Sequence, residues 1–291
     1  MIGVFDSGFG GLTILSALLK RLPGYDYLYL ADSARAPYGA RSLEIVQEFT
    51  LEAVEWLFDQ GCPVVVLACN TASARALRSL QQHHLPRFRP DRSLLGVVRP
   101  SAEALAGLPP GALPGITPPG LADGCVAVLG TEGTVQSGSY PMELEKLAPR
   151  LRVVQKACPL WVPLVEAGEL EGPGTEWFLH RYIDPLFQSD EEPSKILLAC
   201  THYPLLYPGI RRIVPERCQV LSQADLVAER LDDWLQRHPE REARLGRSGL
   251  RRFATTDDAD WFSRRGEIFL GEACTAKTIR LPGVGSRGFL C

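Results

Sequence analysis

The chain has 291 residues, 45% hydrophobic and 22% charged, with a formal net charge of -3. That composition excludes bulk disorder, a collagen-like chain and a coiled-coil rod, and it leaves room for one large domain or two. It supplies no domain-sized basic field for nucleic acid, and no apolar run approaches the ~18–20 residues of a membrane span.

The start, MIGVFDSG, lacks the basic residues and cleavage site of a secretory signal, so a cytoplasmic compartment is expected. Eight cysteines are spread along the chain with no CxxC pair, and five histidines are scattered. Free thiols and no structural metal site are the expectation. The short basic runs at 211–213 and 251–253 read as solvated faces.

In chain order, residues 1–5 read as a buried strand that enters the DSGFGG loop at 6–11. A helix is predicted over 12–22 from its apolar spacing, stopped by Pro23 and Gly24. Residues 25–31 form a second strand closed by Asp32, and Pro37-Tyr38-Gly39 is a turn. A helix over 42–60 has Ser42 as its cap and Gly61 as its stop. The continuous apolar run 63–68 is a strand buried on both faces, as in a parallel sheet. CNTAS follows at 69–73, then a helix to about 82 and a short strand over 94–98. The stretch 107–124 holds five Pro and five Gly and reads as a surface loop or linker.

The pattern then restarts. A strand over 125–130 leads into a loop at 131–134 and a helix over 135–147. A strand-like piece at 152–156, a helix over 175–187 and a buried strand over 195–199 follow. CTHYP comes next, at 200–204. A helix is predicted over 221–237 and a short strand over 253–255. The tail after 271 has weak periodicity and is expected to be irregular and peripheral. Alternating strands and helices specify a parallel α/β layer, whose sites lie at the carboxyl ends of the strands. The polar clusters DSG, ADSARAPYG and CNTAS fall at those ends.

The halves echo one another. VVVLACNT at 64–71 matches KILLACTH at 195–202 in pattern. Asp6 precedes Cys69 by 63 residues, and Thr131 precedes Cys200 by 69. Near-equal offsets suggest an internal duplication.

Cys69 and Cys200 each follow a buried strand and precede a predicted helix start. A helix start favours an anion and should lower a thiol pKa. Either cysteine alone also reads as a small buried hydrophobe. Two equivalent thiols facing one small substrate suit two-base proton transfer, in which one removes a proton from carbon and the other delivers one to the opposite face. Asp6 reads as a helper or a loop-capping carboxylate, and Glu166 as a helper or a turn carboxylate. His202 is the best-placed imidazole, two residues from Cys200. The other four histidines receive no role. DSGFGG matches neither GxGxxG nor GxxxxGK and is a weak nucleotide signal, though its N–H groups could hold a carboxylate.

Six motifs occur in order: FDSGFGGLT (5–13), ADSARAPYGARS (31–42), LACNTAS (67–73), LGTEGTVQSGSY (129–140), CPLWVPLVEAGE (158–169) and LACTHYPLL (198–206). Together they resemble the bacterial glutamate racemases of the cofactor-independent aspartate/glutamate racemase superfamily, over roughly residues 2–235. The resemblance implies two similar parallel-sheet α/β domains related by pseudo-twofold symmetry, with the active site in the cleft between them. It places residues 1–98 plus 208–270 in a discontinuous first domain and 99–207 in the second, with 271–291 as the tail.

The implied reaction interconverts L- and D-glutamate without metal or pyridoxal phosphate, supplying D-glutamate for peptidoglycan. By similarity, Cys69 takes the proton from D-glutamate and Cys200 from L-glutamate. Asp6 partners Cys69, while His202 and Glu166 serve Cys200. Ser7, Tyr38, Gly39, Asn70, Thr71, Thr131, Thr134 and Thr201 match positions that hold the substrate's carboxylates and amino group. A homodimer is implied, with a cell-wall precursor as a possible regulator and no nucleic acid as primary partner.

Ala199 stands where Gly is commoner in the family, and Arg99 replaces a more neutral or acidic residue before Pro100. The Pro/Gly stretch and the region after 236 add length. Another superfamily activity, on aspartate or a related substrate, is the nearest alternative. A non-catalytic amino-acid-binding regulator is the reading from a different class.

Overall fold

The expected strands that end in polar clusters all become parallel strands of two sheets in the computed structural model, which describes residues 1–112, 124–188 and 191–283. Residues 113–123 of the Pro/Gly stretch, and 284–291 of the tail with Cys291, lie outside the described residues.

β1 (Ile2–Asp6) passes through the DSGFGG loop into α1 (Leu12–Arg21), followed by β2 (Tyr27–Ala31), α2 (Leu43–Asp59) and β3 (Val64–Leu67). Beyond β3 come α3 (Asn70–Arg75), α4 (Leu77–Ser79), α5 (Leu85–Phe88), β4 (Ser93–Gly96) and α6 (Val98–Leu105). The second run is β5 (Gly124–Gly130), α7 (Glu132–Gln136), α8 (Ser139–Leu147), β6 (Leu151–Ala157), α9 (Trp161–Ala167) and α10 (Pro173–Ile183). It ends with β7 (Pro193–Ala199), α11 (Tyr207–Ile213) and β8 (Gln219–Leu221). The chain finishes with α12 (Ala224–Arg237), α13 (Pro239–Glu242), β9 (Arg251–Thr255), α14 (Ala259–Leu270) and β10 (Ala276–Thr278).

One sheet has the order β10-β9-β2-β1-β3-β4 and the other β6-β5-β7-β8. The run β2-β1-β3-β4 is therefore repeated as β6-β5-β7-β8, with β3 and β7 in equivalent places. This is the internal repeat suggested by the two cysteine motifs. Continuous apolar runs such as VVVL in β3 are buried throughout because helices cover both faces of a parallel sheet. Ser42 caps α2 by accepting a hydrogen bond from the Ile45 N–H, and Gly61 follows the helix at a positive φ of 86°.

Several expectations shift. The helix expected over 135–147 is two helices, broken at Gly138 with a φ of 63°. The helix after CNTAS breaks at Ala76, where φ is -112°. The strand expected over 94–98 stops at Gly96, and the Val97 N–H donates to Ser73 Oγ at 3.1 Å instead of continuing a ladder.

Two larger corrections concern chain layout. The first domain was expected to resume at 208, but β8 pairs with β7, so the chain stays with the second sheet as far as Leu221. Helix α12 then returns to α1, with Val227, Leu231 and Leu235 in the same core as Leu15 and Leu18. The tail was expected to be irregular, yet β10 pairs with β9 and extends the first sheet. Ala276 and Cys274 are buried, so a short apolar anchor substitutes for periodicity.

Helix α14 turns Phe262 and Phe269 onto Phe9 of the DSGFGG loop, with ring centroids 5.2 and 6.0 Å away. Phe262 is fully buried. Phe262→Ala is expected to lower the stability of the first layer by about 3–5 kcal/mol, read as an earlier urea transition.

Candidate active site

Parallel strands aim their carboxyl ends, and the loops that follow, at one seam. Asp6 ends β1 and is buried, with one carboxylate oxygen accepting the Gly8 N–H at 2.9 Å. Its other oxygen is buried without a hydrogen-bond partner. Burial pushes the Asp6 carboxyl above its ordinary range; the His202 charge and the N–H groups of Gly8 and Gly11 oppose this without cancelling it.

Cys69 stands between β3 and α3, with Sγ 3.5 Å from Ser7 Oγ. The expectation that a helix start lowers this thiol fails. Burial pushes it up to about 12, and the nearby Asp6 adds to the rise. The helix has only 6 residues, and its end cannot outweigh desolvation.

Cys200 follows β7, and a 3-10 turn at Tyr203–Leu206 succeeds it rather than a helix. Its Sγ lies 4.0 Å from His202 Nδ1, while His202 Nε2 lies 3.2 Å from Glu166 Oε1 on α9. Burial works against an imidazolium here, but Cys200 and Glu166 outweigh it and push His202 up to about 10. Glu166, half-buried, keeps one face toward solvent. Phe269 of α14 packs edge-on against the His202 ring at 5.5 Å. Gly10 has no room for a side chain: a Cβ there would sit 2.6 Å from His202 Nδ1.

Threonines join the two sheets' ends. Thr71 Oγ1 is 2.9 Å from Thr131 Oγ1, and Thr131 caps α7 by accepting the Thr134 N–H at 3.2 Å. Thr131 Oγ1 also donates to Thr134 Oγ1 at 3.1 Å. Thr201 is buried beside Gly10, and its carbonyl accepts from Thr13 Oγ1 at 3.4 Å. The Gly39 carbonyl accepts the Gly133 N–H at 2.8 Å.

Two of the expected residues have their side-chain polar groups engaged within the protein. Tyr38 is buried, and its hydroxyl donates to Asp32 Oδ2 at 2.5 Å. The Asn70 side chain is held by Gln223 at 2.5 Å and by the Tyr140 hydroxyl at 2.7 Å. Gln223 also donates to Ser101 Oγ at 2.6 Å. Sequence reasoning missed Gln223, Tyr140, Ser101 and Phe269. It also passed over Asp32 and Arg35, which share an ion pair at 2.7 Å beneath the Tyr38 turn. Asp32, closing a strand three residues before an arginine, was the one available signal.

The described cysteines are all free and buried. Among the described residues, no group of three His, Cys, Asp or Glu side chains is placed to hold a metal ion. What the seam does assemble is two thiols, a carboxylate and an imidazole–carboxylate pair, ringed by hydroxyls. Such a set can hold a small zwitterion and move protons on either side of it.

A glutamate racemase of Roseobacter denitrificans is 38% identical over 269 residues, spanning 92% of this chain and 96% of that protein. The chain belongs to the glutamate racemase family. No family model matches it. The structure of a glutamate racemase isoform from Bacillus anthracis superposes with a TM-score of 0.83 at 32% identity, covering 97% of this chain and 98% of that one. A glutamate racemase from Francisella tularensis, solved with D-glutamate, gives a TM-score of 0.81 at 28% identity and covers 96% and 97% of the two chains. The protein is accordingly a racemase with a two-sheet α/β fold.

The elevated His202 pKa has a stability consequence. A folded value of about 10 lies above the usual value of about 6.5, so the pairing with Cys200 and Glu166 stabilises the fold fully below the lower value. That contribution fades as pH rises through the higher value. The difference in unfolding free energy between the native protein and His202→Gln is expected to be larger at pH 6 than at pH 10.5. Urea titrations at the two pH values measure it.

Proposed function

We propose that this racemase inverts glutamate by passing a proton between Cys69 and Cys200, with no cofactor. One observation carries the reading. The two sulfurs stand at the ends of β3 and β7, which are equivalent strands of two sheets sharing one strand order. A pair of like bases on like scaffolds suits a substrate whose two faces must be treated alike.

From D-glutamate, the Cys69 thiolate takes the Cα proton. The bonding electrons pass into the α-carboxylate as an enediolate. The Cys200 thiol then donates its proton to the opposite face, leaving L-glutamate, a Cys69 thiol and a Cys200 thiolate. The reverse reaction exchanges the roles. Asp6, whose charge is felt at Cys69, would act in its carboxylate form as the acceptor for the proton of a thiol that burial keeps neutral at rest. His202, oriented by Glu166, supplies a positive charge and a proton donor beside Cys200. Ser7, Thr71, Thr131, Thr134 and Thr201, with the backbone at Gly39 and Asn70, would hold the substrate's charges. In a seam closed to water these contacts strengthen as charge develops on the enediolate.

The same reading makes the protein a cytoplasmic homodimer that supplies D-glutamate for peptidoglycan. No helix in the described residues is long and apolar enough to cross a membrane. A cell-wall precursor as regulator would find space in a cavity of about 870 Å³ behind α3, lined by Ser73, Arg78, Arg99, Arg230 and Trp234. Arg99, the departure noted before Pro100, lies in that wall.

In deuterated water with chelator present and no pyridoxal phosphate, inversion of L- and D-glutamate should place deuterium at Cα of the product. Cys69→Ser and Cys200→Ser should each lose at least about a thousandfold in kcat/KM, consistent with losing a proton-transfer group. Cys69→Ser should still exchange the Cα proton of L-glutamate without inverting it, because Cys200 can remove and return a proton on one face. Near-normal turnover in either variant sinks the two-base assignment. Turnover of aspartate with none of glutamate moves the reading to the sister activity.

A further inference from the structure

Arg75 is the last residue of α3, the helix that begins beside Cys69. Its backbone carbonyl accepts from Gln47 of α2 at 3.0 Å, so the residue is anchored in the first layer. Its guanidinium reaches three neutral oxygens. Nε donates to the Gly133 carbonyl at 2.9 Å, Nη2 to Gln136 Oε1 at 3.0 Å and Nη1 to the Arg41 carbonyl at 2.5 Å. Gly133 and Gln136 belong to α7, on the second layer, and Arg41 follows the Tyr38-Gly39 turn. A single planar fork thus joins α3, that turn and α7.

Gly133 is gripped from both edges of its backbone. Its N–H donates to Gly39 while its carbonyl accepts from Arg75. A side chain would not fit: a Cβ would lie 2.9 Å from the Gly39 carbonyl and 3.0 Å from the Thr71 methyl. Two residues before it, Thr131 meets Thr71 across the same seam. First-layer groups from two segments, α3 and the turn at Gly39, converge on one turn of the second layer, beside the residues expected to bind substrate.

We propose that Arg75 is a positioning residue, a latch that holds the two layers closed over the substrate at the Thr71–Thr131 contact. The proposal rests on the racemase reading of this seam. The guanidinium touches none of the groups assigned to proton transfer and acts by setting how much of the protein is closed. When only a fraction of the protein is competent to bind, the apparent dissociation constant rises by the reciprocal of that fraction. Saturating substrate then restores closure, so KM should move and kcat should not. Lysine cannot reproduce the three-way fork with a single ammonium group, so it should rescue only in part.

The test compares the native protein with Arg75→Ala, Arg75→Lys and Gln136→Ala in glutamate racemisation. Arg75→Ala is expected to raise KM about tenfold, the equivalent of about one charge-assisted hydrogen bond, with kcat within about twofold. Arg75→Lys and Gln136→Ala should fall between it and the native protein. Small-angle scattering without ligand should show a larger radius of gyration for Arg75→Ala. A kcat loss of about tenfold at unchanged KM, or unchanged KM with unchanged scattering, overturns the latch. If Arg75→Ala does not fold, Gln136→Ala and Arg75→Lys decide the matter, because each leaves the α3 backbone contacts in place; unchanged KM in both counts against the proposal. Inversion by the native protein is the separate control: its absence refutes the racemase reading, and the scattering comparison still reports on the latch.

Discussion

Taking a proton from carbon needs a base that water has not already quenched, and the seam between the two sheets keeps water from Asp6, Cys69, Cys200 and His202. Each of these is less than a tenth exposed. Desolvation has opposite effects on the ionisable groups. It favours the neutral carboxyl and the neutral thiol on the Cys69 side. On the Cys200 side it is overcome by two partners, and the imidazole is held charged. A site with a symmetric scaffold is thus electrically asymmetric at rest. Both thiols sit on equivalent strands, but only one has an imidazole within reach.

Keeping charge in such a place requires partners from many parts of the chain. Glu166 on α9 orients His202 from one side, and Phe269 on α14 closes the other. Below the Tyr38 turn, Asp32 accepts from Tyr38, Arg35 and Thr256, so a fully buried carboxylate has each oxygen engaged. That satisfaction matters because an unpaired buried charge is strongly destabilising. The unpartnered Asp6 oxygen stands out against this background. It is a carboxylate oxygen buried with no hydrogen-bond partner.

The layers meet through small polar contacts rather than a broad apolar face at this point. Thr71 with Thr131, Gly39 with Gly133 and Arg75 with α7 are individually worth about 0.5–3 kcal/mol. Contacts of that size can hold a cleft closed and still release a product. Deeper in, Asn70, Gln223, Tyr140 and Ser101 form a buried network linking α3, the lead into α12, α8 and α6. Buried and mutually satisfied, it ties the two layers together behind the Thr71–Thr131 contact.

The sequence by itself determined the parallel α/β class, the strand ends carrying polar clusters, the repeat, and Cys69 and Cys200 as the pair to watch. Those features are local: apolar runs, breakers and a motif repeated at similar spacing all act within a few residues. Tertiary structure alone decided that Gln223 meets Asn70, that Phe269 covers His202, that β8 stays with the second sheet and that the tail adds a strand. It also engaged the Tyr38 hydroxyl with Asp32 and the Asn70 amide with Gln223, and raised the Cys69 thiol where a helix start suggested the reverse. Periodicity reports which face of an element is buried, but not what covers it. Partners 153 residues apart, such as Asn70 and Gln223, leave no mark in either neighbourhood. Desolvation, which sets the chemistry here, depends on everything packed around a group and exists only once the chain has folded.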